Sequence, residues 1–192
     1  MRRYDLTAEI YDARYREEQE AKYAAALGRV SIDGMGVLDV GCGTGLLFDH
    51  IATKAEMIVG VDLAKRLLVQ ANERSRHFGN VYLVQADADH LPFKPGFFGV
   101  VFVFTVLQNL PKPSQTLLEI ARTARLEACI VVTGLKKTLS LQAFKSLLER
   151  ANLIPICIID SDFLRCYVAV SFLSKEYVAE ANSSGNLSSG DL

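Results

Sequence analysis

The apolar positions of this chain fall into short unbroken runs, separated by longer stretches in which apolar residues recur every three or four positions. Five runs, Gly36–Val40, Met57–Asp62, Val81–Gln85, Val100–Phe104 and Cys129–Thr133, are short and rich in valine and isoleucine. Apolar residues at consecutive rather than alternate positions are what a strand needs when helices cover both of its faces. Between the runs, Ala64, Leu67, Leu68 and Ala71 share one face of a helix over 64–77. Leu117, Ile120, Ala121 and Ala124 do so over 114–124, and Leu141, Phe144, Leu147, Leu148 and Ala151 over 140–151. Residues 7–28 are rich in alanine and glutamate, set Tyr11, Tyr15 and Tyr23 along one side, and read as a further helix closed by Gly28. This alternation predicts an α/β fold, a doubly wound and mostly parallel sheet with helices on both faces. The last two runs, Ile156–Ile159 and Arg165–Phe172, are joined only by Asp160–Leu164, too short for a crossover. They are predicted to be antiparallel neighbours, which gives a seven-stranded sheet with an antiparallel last strand. The Gly/Ser-rich tail 182–192 is expected to be disordered, leaving one domain over 1–181.

Composition narrows the partners. Half of the 192 residues are hydrophobic, enough for one sizeable core, and the net charge is −1. Without a global positive field, strong autonomous nucleic-acid binding is not expected. No apolar run approaches the roughly 18 residues that a membrane span requires, and residues 1–5 lack the apolar core of a signal peptide. A cytoplasmic protein is expected. Cys42, Cys129, Cys157 and Cys166 form no CxxC pair, and His50, His77 and His90 have no ligand spacing, so no metal site is expected.

The chemistry gathers at successive strand ends. Val37-Leu38-Asp39-Val40 runs into Gly41-Cys42-Gly43-Thr44-Gly45, and Leu46–Ile51 then begins a helix. Glycines let a ligand approach the backbone, and the helix start behind them offers free amide donors. The dinucleotide fingerprint G-x-G-x-x-G, counted from Gly41, needs a third glycine at 46, where this chain has Leu46. The second strand ends on Asp62, followed by Leu63. A carboxylate there suits two adjacent ribose hydroxyls, although alone it also suits a helix N-cap. After the third strand comes Gln85-Ala86-Asp87-Ala88-Asp89-His90-Leu91-Pro92-Phe93, in which Asp87 is placed to accept an adenine amine and Ala88 leaves room for a ring.

Taken together, the acid at Asp39, the glycines at 41, 43 and 45, Asp62, and the Asp87-Ala88 segment with its following Leu-Pro-Phe resemble class I S-adenosylmethionine-dependent methyltransferases. The chain is similar to small single-domain members of the type 11/25 group, over roughly residues 1–173. The resemblance implies S-adenosylmethionine as cofactor, held by Asp39, Gly41, Cys42, Gly43, Gly45, Asp62, Leu63, Asp87, Ala88 and Val103. It also makes the first helix a cover for the cofactor, with Tyr11 and Tyr15 as lid residues. The chain departs from the family at Gly99, where an acid is common. It also lacks the Asn/Asp-Pro-Pro-aromatic signature of amino-methyltransferases. Gln108 and Asn109 stand where relatives often carry histidine, and neither is a general base at neutral pH. Displacement from a sulfonium needs alignment more than acid–base help. Gln108, Asn109 and Tyr11 are therefore the expected orienting residues, and proximity the expected means. The acceptor, a small molecule, RNA or protein, is not named by any residue. Since no large insertion caps the site, the open surface suits a macromolecular acceptor or a small activator subunit. A catalytically silent cofactor-binding subunit is the alternative, and a nicotinamide-dependent oxidoreductase a weaker one.

Overall fold

A computed structural model describes the backbone of residues 8–173 and the side chains of 16–173. The side chains of Tyr11 and Tyr15 and the tail 182–192 lie outside these described residues. Seven strands form one sheet: β1 (Gly36–Val40), β2 (Met57–Asp62), β3 (Val81–Gln85), β4 (Phe98–Val103), β5 (Ala124–Leu135), β6 (Leu153–Ile159) and β7 (Cys166–Leu173). Among the described residues five α-helices accompany them: α1 (Ala8–Leu27), α2 (Phe48–Ile51), α3 (Lys65–Ser75), α4 (Pro113–Thr123) and α5 (Leu141–Arg150). The strand order is β3-β2-β1-β4-β5-β7-β6. All pairings are parallel except those of β7, which lies antiparallel between β5 and β6.

The alternation of side chains across the sheet sorts the core into two layers. Leu38, Val40, Val101, Val103, Ile130 and Val132 face α4 and α5, whose Leu117, Ile120, Phe144 and Leu148 cover them. Val37, Ile58, Val100, Phe102, Val131, Val168 and Val170 face the other way, where Tyr23 and Ala26 of α1, Phe48 and Ile51 of α2 and Leu68 and Ala71 of α3 cover them. Apolar residues on both faces follow from this double covering.

The order reverses between β1 and β4: β2 and β3 continue to one side, β4 and β5 to the other. At such a switch point the loops leaving the carboxyl ends of neighbouring strands diverge and open a crevice. The loops after β1, β2, β3 and β4 all border it.

The expected β4, Val100–Phe104, begins earlier and ends one residue sooner. Phe98 already pairs with Ala124 across a register shift, and Thr105, at φ +62°, turns the chain out of the sheet. β5 extends well beyond Cys129–Thr133, because it pairs with β4 on one side and takes seven partners from β7 on the other.

Candidate functional site

The glycine loop has the geometry that only its glycines permit. Gly41, Gly43 and Gly45 sit at φ +72°, +57° and +78°. A Cβ on Gly41 would stand 2.5 Å from Val106 Cγ2, so the loop packs directly against the chain leaving β4. A Cβ on Gly45 would meet the Phe48 ring at 2.5 Å and Ala71 at 3.3 Å. Gly45 thus lets α2 and α3 close beneath the loop. It borders neither of the cavities described below, and its place in the fold is a packing one.

Asp62, at the end of β2, ties this loop to its neighbour. Its Oδ2 accepts from Gly43 N at 2.9 Å and its Oδ1 from Ala64 N at 2.8 Å. The bond to Ala64 turns the chain into α3, so Asp62 does act at the start of that helix, as its sequence position alone allowed. The same carboxylate also bridges two loops on the wall of a cavity of about 220 Å³. That wall includes Gly41, Gly43, Leu63, Ala64, Leu67, Ala86, Asp87, Ala88, Thr105, Val106, Asn109 and Leu110. Asp87 is held by its own turn, its Oδ1 accepting from Asp89 N at 3.0 Å. The segment that follows is fixed from α4. Glu119 accepts from Leu91 N at 2.8 Å, and Arg122 donates to the carbonyls of Phe93 at 2.8 Å and Leu91 at 3.0 Å. Arg122 also binds Glu119 and, as the main influence, holds its carboxyl below the usual range.

A second, much smaller cavity of about 20 Å³ lies on the α1 side, bordered by Gln19, Tyr23, Asp39, Gly41, Cys42, Gly43, Thr44, Leu46 and Phe104. Asp39 is 3% exposed, and burial, with the Asp62 charge as a smaller influence, pushes its pKa up to about 8. Burial likewise pushes the Cys42 thiol up, so the cysteine is no thiolate nucleophile here. Tyr23 packs edge-on against Phe104, centroids 4.9 Å apart, and also contacts His50. His50 in turn lies 3.0 Å from Glu20, so α2 and α1 meet beside this cavity. Gly41, Gly43 and Phe104 border both cavities.

Two further expected site residues lie off the cavity walls. Val103 is fully buried and faces the α4–α5 layer; its neighbours Phe104, Thr105 and Val106 border the cavity instead. Gln108 does not border the cavity. Its Nε2 donates to Thr105 O at 2.6 Å, and its Oε1 is buried without a hydrogen-bond partner among the described residues. Asn109 does border the cavity, while its Nδ2 donates to the same carbonyl at 3.2 Å.

Sequence reasoning missed the polar group behind this loop. Thr105 is a β-branched residue in the left-handed region, a conformation costing on the order of 1–3 kcal/mol. Its N donates to Thr133 Oγ1 at 2.7 Å, and its hydroxyl accepts from Gln19 Nε2 and Lys22 Nζ, each at 3.1 Å. Lys22 is 1% exposed and ion-paired with Glu18 at 3.0 Å. Within Glu17-Glu18-Gln19-Glu20-Ala21-Lys22 these residues read as a solvated helix face, and α1 has no strong apolar stripe to mark its inner side. The signal available was the polar Thr105 directly after the apolar run of β4.

Comparison with known proteins agrees with this arrangement. Residues 38–132, from β1 into β5, match the family described as methyltransferase domain. A ubiquinone biosynthesis O-methyltransferase of Methylococcus capsulatus is 32% identical over 111 residues, 57% of this chain and 47% of the relative. The chain spans about half the length of the curated relatives it matches. Among solved structures, a SAM-dependent methyltransferase from Aquifex aeolicus superposes with a TM-score of 0.78 at 18% identity, covering 88% of this chain and 98% of the other. The cyclase SpnF has the same architecture, with a TM-score of 0.68 at 21% identity over 74% of this chain and 60% of its own. One framework therefore houses more than one chemistry. From the sheet order, the glycine loop and the matched domain, the chain belongs to the class I S-adenosylmethionine-dependent methyltransferase family.

Proposed function

We propose that this chain binds S-adenosylmethionine across the two cavities and transfers its methyl group to an acceptor approaching over Val106, Asn109 and Leu110. The observation that carries this reading is the Asp62 carboxylate, fixed by Gly43 N and Ala64 N on the wall of the larger cavity. A carboxylate held at the end of β2 suits the two adjacent hydroxyls of a ribose. Ala86 and Ala88 leave room for a flat base, and Asp87 accepts from an exocyclic amine. At the other end, a cation placed beside Asp39 would draw its carboxyl back to the ionised form. The methionyl ammonium supplies such a cation. When bound, S-adenosylmethionine supplies a methyl group already activated by the sulfonium charge. The chain's own residues hold donor and acceptor in line and exclude water.

The curated relatives are named O-methyltransferases, so hydroxyl acceptors are the first class to test, small molecules before macromolecules. Calorimetric titration with S-adenosylmethionine is expected to show one site, with tritiated methyl appearing on one member of an acceptor panel. Absence of binding overturns the reading. Binding without label on any small, RNA or protein acceptor assigns a cofactor-binding subunit instead.

A further inference from the structure

Lys22 is a full charge inside the fold. A buried ammonium is costly unless each of its three donors finds an acceptor. Here two of them do, Glu18 at 3.0 Å and the Thr105 hydroxyl at 3.1 Å, and the Cys166 thiol interacts electrostatically with the same ammonium. Helix packing does not require this arrangement, since α1 already meets the sheet through Tyr23 and Ala26. What Lys22 reaches is the residue whose backbone is strained. Thr105 sits at φ +62° and is tied from three directions: by Gln19 and Lys22 from α1, by Thr133 from β5, and by Gln108 and Asn109 from the turn that follows. Thr105 lies between Phe104, which borders both cavities, and Val106, which packs on Gly41. A local conflict over-determined by its surroundings is characteristic of functional sites.

We infer that Lys22 is a positioning residue: from α1 it holds Thr105 in its left-handed conformation and so sets the wall on which the two cavities meet. The inference rests on the proposed function, which places the methyl-bearing end of the cofactor at that meeting point. Without Lys22, Thr105 relaxes toward ordinary backbone geometry, and Phe104 and Val106 leave their places against the glycine loop.

The test is a four-protein cycle read by calorimetric titration with S-adenosylhomocysteine, alongside thermal unfolding. Lys22→Met fills nearly the same volume without charge, and Glu18, partly exposed, stays hydrated. It is expected to weaken binding tenfold or more, while Tm stays within a few degrees of the parent. In the Thr105→Gly background the same substitution is expected to change affinity less than threefold. Glycine adopts positive φ without strain and has no hydroxyl for Lys22 to hold. Equal losses in both backgrounds would mean that Lys22 acts independently of Thr105, and would overturn the inference. So would a large fall in Tm with unchanged affinity, the mark of a purely structural residue. Should the methionine variant not fold, Lys22→Gln takes its place in the same cycle. An unsubstituted protein that binds no S-adenosylhomocysteine would overturn the proposed function as well, whereas binding without coupling overturns the inference alone.

Discussion

The two cavities meet at Gly41, Gly43 and Phe104, yet they are built by opposite means. The larger is a product of strand ends and main chain: glycine turns, a carboxylate gripping two amides, and a segment pinned to α4 through its carbonyls. The smaller is enclosed by buried side chains, Asp39, Gln19 and Tyr23, beside a lysine that is only 1% exposed. Main-chain recognition tolerates changes in side chains that leave the turns intact. Buried polar recognition depends on every member of the network being satisfied. The two ends should therefore respond differently to substitution and to pH.

The largest effect is expected where both ends share a support. Gly45→Ala puts a Cβ into the Phe48 ring at positive φ and should destabilise the fold by about 2–4 kcal/mol, read as a fall in the denaturation midpoint. A smaller loss would mean that the loop yields more easily than its packing shows. Next comes the larger cavity alone. Asp62→Ala removes the acceptor for two loop amides and for the ligand, and should weaken S-adenosylmethionine by roughly 30- to 100-fold in calorimetry, or about 2–3 kcal/mol. Unchanged affinity would remove the basis for assigning that cavity to the nucleoside.

The smaller cavity should declare itself through pH. The Asp39 carboxyl ordinarily titrates at 3.8 but at about 8 in the fold. Its contribution to stability is complete below the lower value. Between the two values the unfolded chain has released the proton and the folded chain retains it. Stability should therefore fall as pH rises through this window, by at most about 1.4 kcal/mol per pH unit, and level off above it. A cationic ligand has the opposite dependence, binding more tightly as pH rises toward 8 because ionised Asp39 receives it. Asp39→Asn should flatten both profiles; slopes that survive the substitution would place the titration elsewhere. The smallest effect is expected at the rim. Asn109→Ala should change cofactor affinity by less than threefold, about 0.6 kcal/mol, because its amide already serves the Thr105 carbonyl. A larger loss would move Asn109 from the acceptor side into the cofactor site.

The same contrast governs what was legible in the sequence. β1, β2 and β3 have the expected bounds, because their unbroken apolar runs end in glycine, aspartate or glutamine at the edge of the crevice. Asp62, Asp87 and Ala88 were visible for the same reason, since short-range spacing places them at consecutive strand ends. The side on which Val103 lies was not legible, because a strand's last residues alternate between core and crevice, and only the register with β5 shows that it is Phe104 that faces out of the α4–α5 layer. The direction of Gln108 was not legible either, because its amide folds back on its own turn. Lys22 was invisible. Nothing local distinguishes a buried lysine from its solvated neighbours, and its partners Thr105 and Cys166 are distant in sequence. At Gly99 the departure from the family has a physical counterpart: the Arg125 guanidinium lies 3.0 Å from where a Cβ would stand.

The place of β7 has a consequence for how the molecule comes into being. It is the last of the described strands, yet it lies inside the sheet between β5 and β6, packs against α1, and brings Cys166 to Lys22. In synthesis α1 precedes that strand by some 140 residues. Such long-range closure slows folding and leaves apolar surface uncovered in the meantime. Until β7 inserts, the inner edge of β5 is an open ladder and Lys22 lacks its neighbour Cys166. A nascent chain short of that strand has its nucleoside-side loops but no finished seat for its first helix.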